Sequence, residues 1–158
     1  MNTDAISNAV RSLWVPLQGA NILIPNIAII EVIGYRPYEL IDSTDDWMMG
    51  SLRWRGKYLP VVSMESLCGE GLPVSTGSSR LAIINSTRSD TAIDFFAVVT
   101  ADIPRLIHVS EGMADVSDQE DELSDTVICK VTVDNEEAII PDLEKIQLRV
   151  NSAWLNLI

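Results

Sequence analysis

Few side chains in this sequence are of the kind that does chemistry at neutral pH. His108 is the only histidine, and Cys68 and Cys129 are the only cysteines. One imidazole and two thiols at distant positions give no zinc-ligand spacing. A serine nucleophile would have to borrow His108 as its base, and no Gly-x-Ser-x-Gly elbow is there to expose one. His108 therefore reads as a structural or surface residue. Gly69, Gly71 and Gly77 lack the dinucleotide spacing and the Gly-Lys-Ser/Thr ending of a phosphate-binding loop. The 23 acidic residues guarantee paired carboxylates, but none is singled out for acid–base work. Residues 118–125 match a calcium loop in charge, yet the sixth position lacks the glycine its sharp turn needs. No catalytic residue, metal site or cofactor is expected.

What stands out is the chemistry of contact. Residues 50–62 read as two strands folded about Arg55-Gly56. Leu52, Trp54, Tyr58, Leu59, Val61 and Val62 are strand formers, and Gly56 allows the positive φ of a tight hairpin turn. Arg53, Arg55 and Lys57 crowd its tip in a chain of net charge −12. Cations beside an exposed Trp54 and Tyr58 suit docking onto another protein. A solvated turn whose cations offset nearby carboxylates is the alternative. Trp47, Met48 and Met49, with Trp54, read either as a lid on the core or as the rim of an adaptable apolar contact surface. Trp14 reads as core.

The elements that must hold this hairpin are those of an all-β protein. At 158 residues and 47% hydrophobic, the chain can bury one substantial core. A first hairpin is expected from residues 13–17 and 21–24, about Gln18-Gly19-Ala20. Residues 27–33 fit a short helix or a bent strand equally. A helical turn follows the cationic hairpin near residues 63–67. Strands are expected at 81–85, 93–100, 106–109, 127–133 and 137–140. The Gly-, Pro- and Ser-rich residues 69–80 read as a loop joining two halves. Residues 111–125 hold seven acidic residues and no basic one, and read as a mobile solvated loop. It is a partner contact, a charge shield or a tolerated insertion. Pro141-Asp142 opens a helical turn through Ile146. The domain is expected to span residues 10–150, with 151–158 an apolar tail that packs on the body or meets a partner. No secretory signal or membrane-span-length apolar run is visible, so direct membrane insertion is not expected. The two cysteines read as free thiols of a reducing cytoplasm. The acidity disfavours nucleic acid and anionic membranes as partners.

The pattern resembles the CheW family, adaptors that couple chemoreceptors to a histidine kinase. After a first hairpin, that family shows apolar-x-Glu-apolar-x-Gly, then a glycine, Asn-Leu-Arg-Gly, a Pro-apolar-apolar run and Asp-Leu. Here Ile29-Ile30-Glu31-Val32-Ile33-Gly34-Tyr35, Gly50, Arg55-Gly56 and Pro60-Val61-Val62 stand at compatible spacing. Ile140-Pro141-Asp142-Leu143-Glu144-Lys145-Ile146 resembles the family's ending. Arg53-Trp54 replaces the family's Asn-Leu, and Ser63-Met64 its Asp-Leu. The aspartate usual after residues 97–99 is replaced by Thr100 or shifted to Asp102. These departures are similar to CheW-like proteins of chemosensory systems that control type IV pili.

The resemblance implies two intertwined SH3-like β-barrels sharing a hydrophobic core, with a few short helices. It implies a non-catalytic scaffold with two partners: the regulatory domain of a CheA-type histidine kinase and the cytoplasmic tip of methyl-accepting chemoreceptors. Receptor contact would involve a groove between lobes near Ile29 and Arg55, with Glu31 and Gly56 beside them. Arg55 would bond an acidic or carbonyl group on the receptor helix, or else serve structurally across its own hairpin. Arg53, Trp54 and Lys57 are where this chain's own partner choice is expected. The alternative is a small β-barrel ligand-binding module or enzyme using carboxylates, which predicts a deep pocket converging several acids.

Overall fold

Strand formers, separated by glycines and polar turns, give the chain twelve strands among its described residues. The computed structural model describes residues 10–43, 45–69, 77–86, 91–109, 114–116 and 124–157, without the side chains of residues 10 and 114–116. β1 (Val10–Pro16) and β2 (Asn21–Pro25) make the expected first hairpin. A 3-10 turn (Asn26–Ala28) leads into β3 (Ile29–Gly34), so both readings of residues 27–33 meet in one segment. The two-residue β4 (Glu39–Leu40) precedes the cationic hairpin, β5 (Met48–Trp54) and β6 (Lys57–Val62). α1 (Met64–Leu67) follows. Its N-cap, Ser63, accepts a 3.1 Å bond from the Ser66 N–H. Ser63 thus fills a capping role that aspartate also fills well. Then come β7 (Arg80–Asn85), β8 (Phe95–Thr100), β9 (Arg105–Val109), β10 (Ala114–Val116), β11 (Val127–Val133), β12 (Glu136–Pro141) and α2 (Leu143–Leu157).

The strands form two six-stranded sheets, ordered β10-β11-β12-β2-β1-β9 and β3-β7-β8-β6-β5-β4. The first joins strands from opposite parts of the chain at its centre. β12 runs parallel to β2, pairing Ile139 with Ile22, so the N-terminal hairpin is built into the C-terminal sheet. This makes the architecture two intertwined SH3-like barrels. It also corrects the reading of residues 69–80 as a loop joining two halves. That stretch connects α1 to β7, and β6 and β7 lie in the same sheet. The chain changes sheets between β2 and β3, and again between β8 and β9. Loop composition marks a surface connection but carries no information on which strands pair across it.

The central strands are buried on both faces, which explains their unbroken apolar runs. In β7 and β8, Leu81, Ile83, Ala97 and Val99 fill the interior of the second barrel. Their alternates Ala82, Ile84, Phe96 and Val98 face a central core shared with the other sheet. Val15, Ile22, Ile24 and Ile139 meet that core from the first sheet. Trp14, Leu23, Val131, Val133 and Ala138 fill the first barrel. Trp14 is therefore core, as expected.

Three further expectations need correction. The helical turn expected to end at Ile146 runs on to Leu157. Leu143, Ile146, Val150, Ala153, Trp154 and Leu157 recur at three- and four-residue spacing and pack as one stripe on the central core. Residues 151–157 thus belong to that helix. Pro141 is the last residue of β12, and Asp142 caps the helix by accepting a 3.1 Å bond from the Lys145 N–H. The acidic stretch 111–125 is not loop throughout, because β10 pairs antiparallel with β11 from Ala114↔Val133 to Val116↔Val131. Backbone pairing there does not require large apolar side chains. Residues 111–113 and 117–123 lie outside the described residues.

Candidate protein-interaction site

Arg55 and Gly56 form the β5–β6 turn with φ of +47° and +77°. Two successive positive φ values are the signature of a type I′ turn, whose twist matches that of the strands it joins. The ladder pairs Trp54 with Lys57 and Arg53 with Tyr58. Side chains alternate along β5, so Leu52 and Trp54 enter the second barrel and Arg53 faces out. The exposed Trp54 expected at this tip is thereby corrected: it is 5% exposed. Its ring meets Phe95 edge-on at 5.1 Å. Tyr58, by contrast, is exposed.

Trp54 still takes part in the site, from within. Its Nε1–H donates to Glu31 Oε2 at 2.9 Å, and Arg55 Nη2 donates to the same oxygen at 3.2 Å. The Arg55 guanidinium lies over the Trp54 ring, 4.4 Å from its centroid. In the sheet order β3 is separated from β5 by β7, β8 and β6. One carboxylate on β3 can reach the hairpin tip because the sheet curls into a barrel. Glu31 closes that curl. The Arg55 side chain remains 65% exposed and that of Glu31 37%.

The other expected residues are placed differently. Lys57 Nζ lies 3.4 Å from Asp94 Oδ2, on the turn that precedes β8. The Arg53 carbonyl accepts a bond from Arg36 Nη2, while its own guanidinium points to the outer face. Ile29 is half-buried against the central core. A bulge lies between Ile29 and Glu31. The exposed apolar side chains of this region are Ile27, Ile30 and Val32. Reading the sequence did not select them, because Ile29-Ile30 and Val32-Ile33 place apolar residues on both faces and hide the alternation. Trp47 packs on the central core, Met48 is buried within it, and Met49 packs on the second barrel's core. These residues answer as a lid.

Among the described residues the carboxylates do not converge in the manner an acid–base site needs. A surface cavity of about 540 Å³ is lined by Glu136 and Glu137. Glu136 is paired with Arg105 at 3.2 Å and Glu137 with Lys130 at 3.9 Å. Among the described residues no group of three or more His, Cys, Asp or Glu could hold a metal ion. Glu65 on α1 is buried, and burial raises its pKa against smaller lowering effects from the Glu65 and Gln18 backbone N–H groups. Cys68 is buried in the central core, and Cys129 is half-buried. No helix among the described residues is long and apolar enough to cross a membrane.

Two intertwined barrels, a shared core and a glutamate closing one barrel onto an Arg-Gly turn define a double-barrel module of the CheW type. The family model for the CheW-like domain matches residues 11–149, and the chain belongs to that family. Among solved structures, it is similar to the scaffolding protein TtCheW from Thermoanaerobacter tengcongensis, with a TM-score of 0.69 at 17% identity over 85% of each chain. A search of curated proteins finds no match.

Proposed function

We propose that this chain is a non-catalytic adaptor that couples the cytoplasmic tip of methyl-accepting chemoreceptors to the regulatory domain of a CheA-type histidine kinase. Membership of the CheW-like family supports the role. The observation that carries the site is the Glu31–Trp54–Arg55 cluster, which fixes an arginine at the tip of a rigid turn yet leaves it 65% exposed. A pre-positioned guanidinium of this kind suits a carbonyl or carboxylate on a helical partner. Exposed Ile27, Ile30 and Val32 lie along the turn and strand that carry Glu31 and supply apolar surface for the same partner. Ile29, Gly56 and Lys57 shape the surround. Arg53 faces elsewhere, and Trp54 acts through Arg55. The departures at Arg53-Trp54 support a type IV pilus chemosensory system as the setting, and an adaptor to the cytoplasmic tip of receptors would work in the cytoplasm.

The test uses purified protein, a CheA-type kinase and receptor signalling fragments from the same organism. Arg55→Glu is expected to reduce receptor-dependent kinase control at least about tenfold, since it reverses a charge at the contact, and to leave the circular dichroism spectrum unchanged. Full control by folded Arg55→Glu removes Arg55 from the site. Failure of the wild-type protein to bind the kinase regulatory domain overturns the adaptor reading.

A further inference from the structure

The outer face of the cationic hairpin carries a second arrangement that the Glu31–Arg55 cluster does not use. Leu52 and Trp54 fill the barrel, so Arg53 stands outside it, opposite Tyr58 on β6. The edge strand β4 closes the side, with Glu39 opposite Ser51 and Leu40 opposite Gly50. Arg36, Tyr38 and Glu39 on one side, with Arg53 and Tyr58 on the other, line a cavity of about 530 Å³. Arg36 Nη2 donates to the Arg53 carbonyl, which holds the first guanidinium beside the second residue's backbone. Tyr35 stacks edge-on against Tyr38 at 6.3 Å.

Among the described residues, two arginines meet at this cavity without a carboxylate partner, whereas several cations elsewhere on the surface are paired. Arg55, Lys57, Arg105 and Arg149 each sit 2.6–3.4 Å from a carboxylate. Arg36 and Arg53 have no carboxylate within 4.0 Å among the described residues. In a chain of net charge −12, two arginines without carboxylate partners beside two tyrosines are an unmet demand for anions. Glu39 on the rim tells against a doubly charged phosphate and for a single carboxylate. β4 also ends its sheet, and no described strand pairs with its outer edge. Such an edge can take an added strand, with backbone bonds for affinity and side-chain pockets for specificity.

We propose that this cavity binds a carboxylate side chain of an extended acidic segment from a partner protein, laid along the free edge of β4. Arg53 presents a planar fork to the carboxylate, Arg36 supplies the second positive charge, and the tyrosine rings flank the segment's apolar atoms. The surface is separate from the Arg55 tip and does not depend on the adaptor reading. It would let the module hold one partner at each face of a single hairpin.

The test is calorimetric titration of the whole protein with a short synthetic peptide of alternating glutamate and threonine. Its glutamine–threonine counterpart and inorganic phosphate serve as comparison probes. The glutamate peptide is expected to bind about tenfold or more tightly than the glutamine one, and Arg53→Gln to lose about tenfold or more, the scale of one charge-assisted hydrogen bond. Arg53→Gln leaves the Arg36 bond to the Arg53 carbonyl in place, so its thermal melt should match wild type. Amide shifts on titration should fall on residues 39–40 and 50–53. The proposal is overturned by no binding of the glutamate peptide, by equal affinity for both peptides, or by unchanged affinity of Arg53→Gln. Displacement of the peptide by phosphate at lower concentration would make the site a phosphate site instead. Self-association of the free protein abolished by Arg53→Gln would make the occupant a second copy.

Discussion

Removing Glu31 should destabilise the protein more than removing Arg55, although the two form one ion pair. The pair is half in solvent, with side-chain exposures of 65% and 37%, so its own worth is about 0.2–1 kcal/mol. Arg55 adds a stacking contact on Trp54 worth about 0.5–1 kcal/mol at such a site. Arg55→Ala should therefore cost about 1 kcal/mol. Glu31→Ala also removes the acceptor of the Trp54 indole N–H, in a side chain only 5% exposed. An unsatisfied buried donor costs about 1–3 kcal/mol, which puts Glu31→Ala at about 2–3 kcal/mol. In a chain of 158 residues this separates the two melts by about 2–8 °C, at about 2–4 °C per kcal/mol. Two double-mutant cycles from urea unfolding apportion the terms. Coupling of Glu31 to Trp54, read with Trp54→Phe, should exceed coupling of Glu31 to Arg55, read with Arg55→Ala. The Arg55 coupling should also shrink in high salt, whereas the indole coupling should not. An Arg55 coupling larger than the Trp54 coupling would refute the reasoning. It would mean that the arginine is committed to holding its own hairpin and has little left to offer a partner.

Two further outcomes follow from positions away from that cluster. Gly50→Ala should destabilise by about 1–3 kcal/mol, the usual cost of overpacking. A Cβ there would collide with the Glu39 carbonyl oxygen and lie 2.7 Å from the Tyr38 ring, so β4 would have to leave β5. Faster hydrogen exchange at residues 39–40 in Gly50→Ala would register that detachment, and unchanged protection would contradict it. Glu65→Gln should be more stable than wild type at neutral pH, because the buried Glu65 Oε1 has no hydrogen-bond partner among the described residues and burial raises the group's pKa. As pH rises past the unfolded-state value of about 4.3, the unfolded chain releases this proton while the folded chain holds it. Wild-type stability therefore falls until pH passes the raised folded value, and the full penalty stands above it. The gap between variant and wild type should close on acidification, and a gap that widens instead would reverse the sign of the argument.

Local patterns carried much of this fold and left its wiring unseen. The hairpins were legible because glycine or Asp-Asn turns punctuate apolar runs, as at Arg55-Gly56 and at Asp134-Asn135, whose φ values are +50° and +66°. The parity of β5 was harder. Whether Trp54 or Arg53 faces the barrel depends on the partner sheet, and Trp54 shares a face with Leu52 only once the second barrel exists to receive both. The pairing of β12 with β2 is equally invisible to local pattern, since it joins residues far apart in the chain. The helical stripe from Leu143 to Leu157 was present in the spacing. It was obscured by dividing the chain at residue 151. Strand β10 had no apolar signal to follow, because its definition is backbone pairing with β11.

The hairpin's three cations, closely spaced in sequence, separate into three environments. Lys57 neutralises Asp94, Arg55 joins Glu31 over the Trp54 ring, and Arg53 faces the outer cavity. Strand alternation enforces the division between Arg53 and Trp54, and the type I′ turn sets Arg55 at the apex. Trp54 in place of the family's leucine then has a physical consequence. Its indole adds an N–H that ties Glu31 to the hairpin without spending Arg55's remaining donors. Only one Arg55 nitrogen is engaged by Glu31, so the guanidinium keeps other N–H groups facing solvent. A leucine there would leave the carboxylate to be held by Arg55 alone. Trp54 thus shares the holding of Glu31 and leaves Arg55 donors facing solvent.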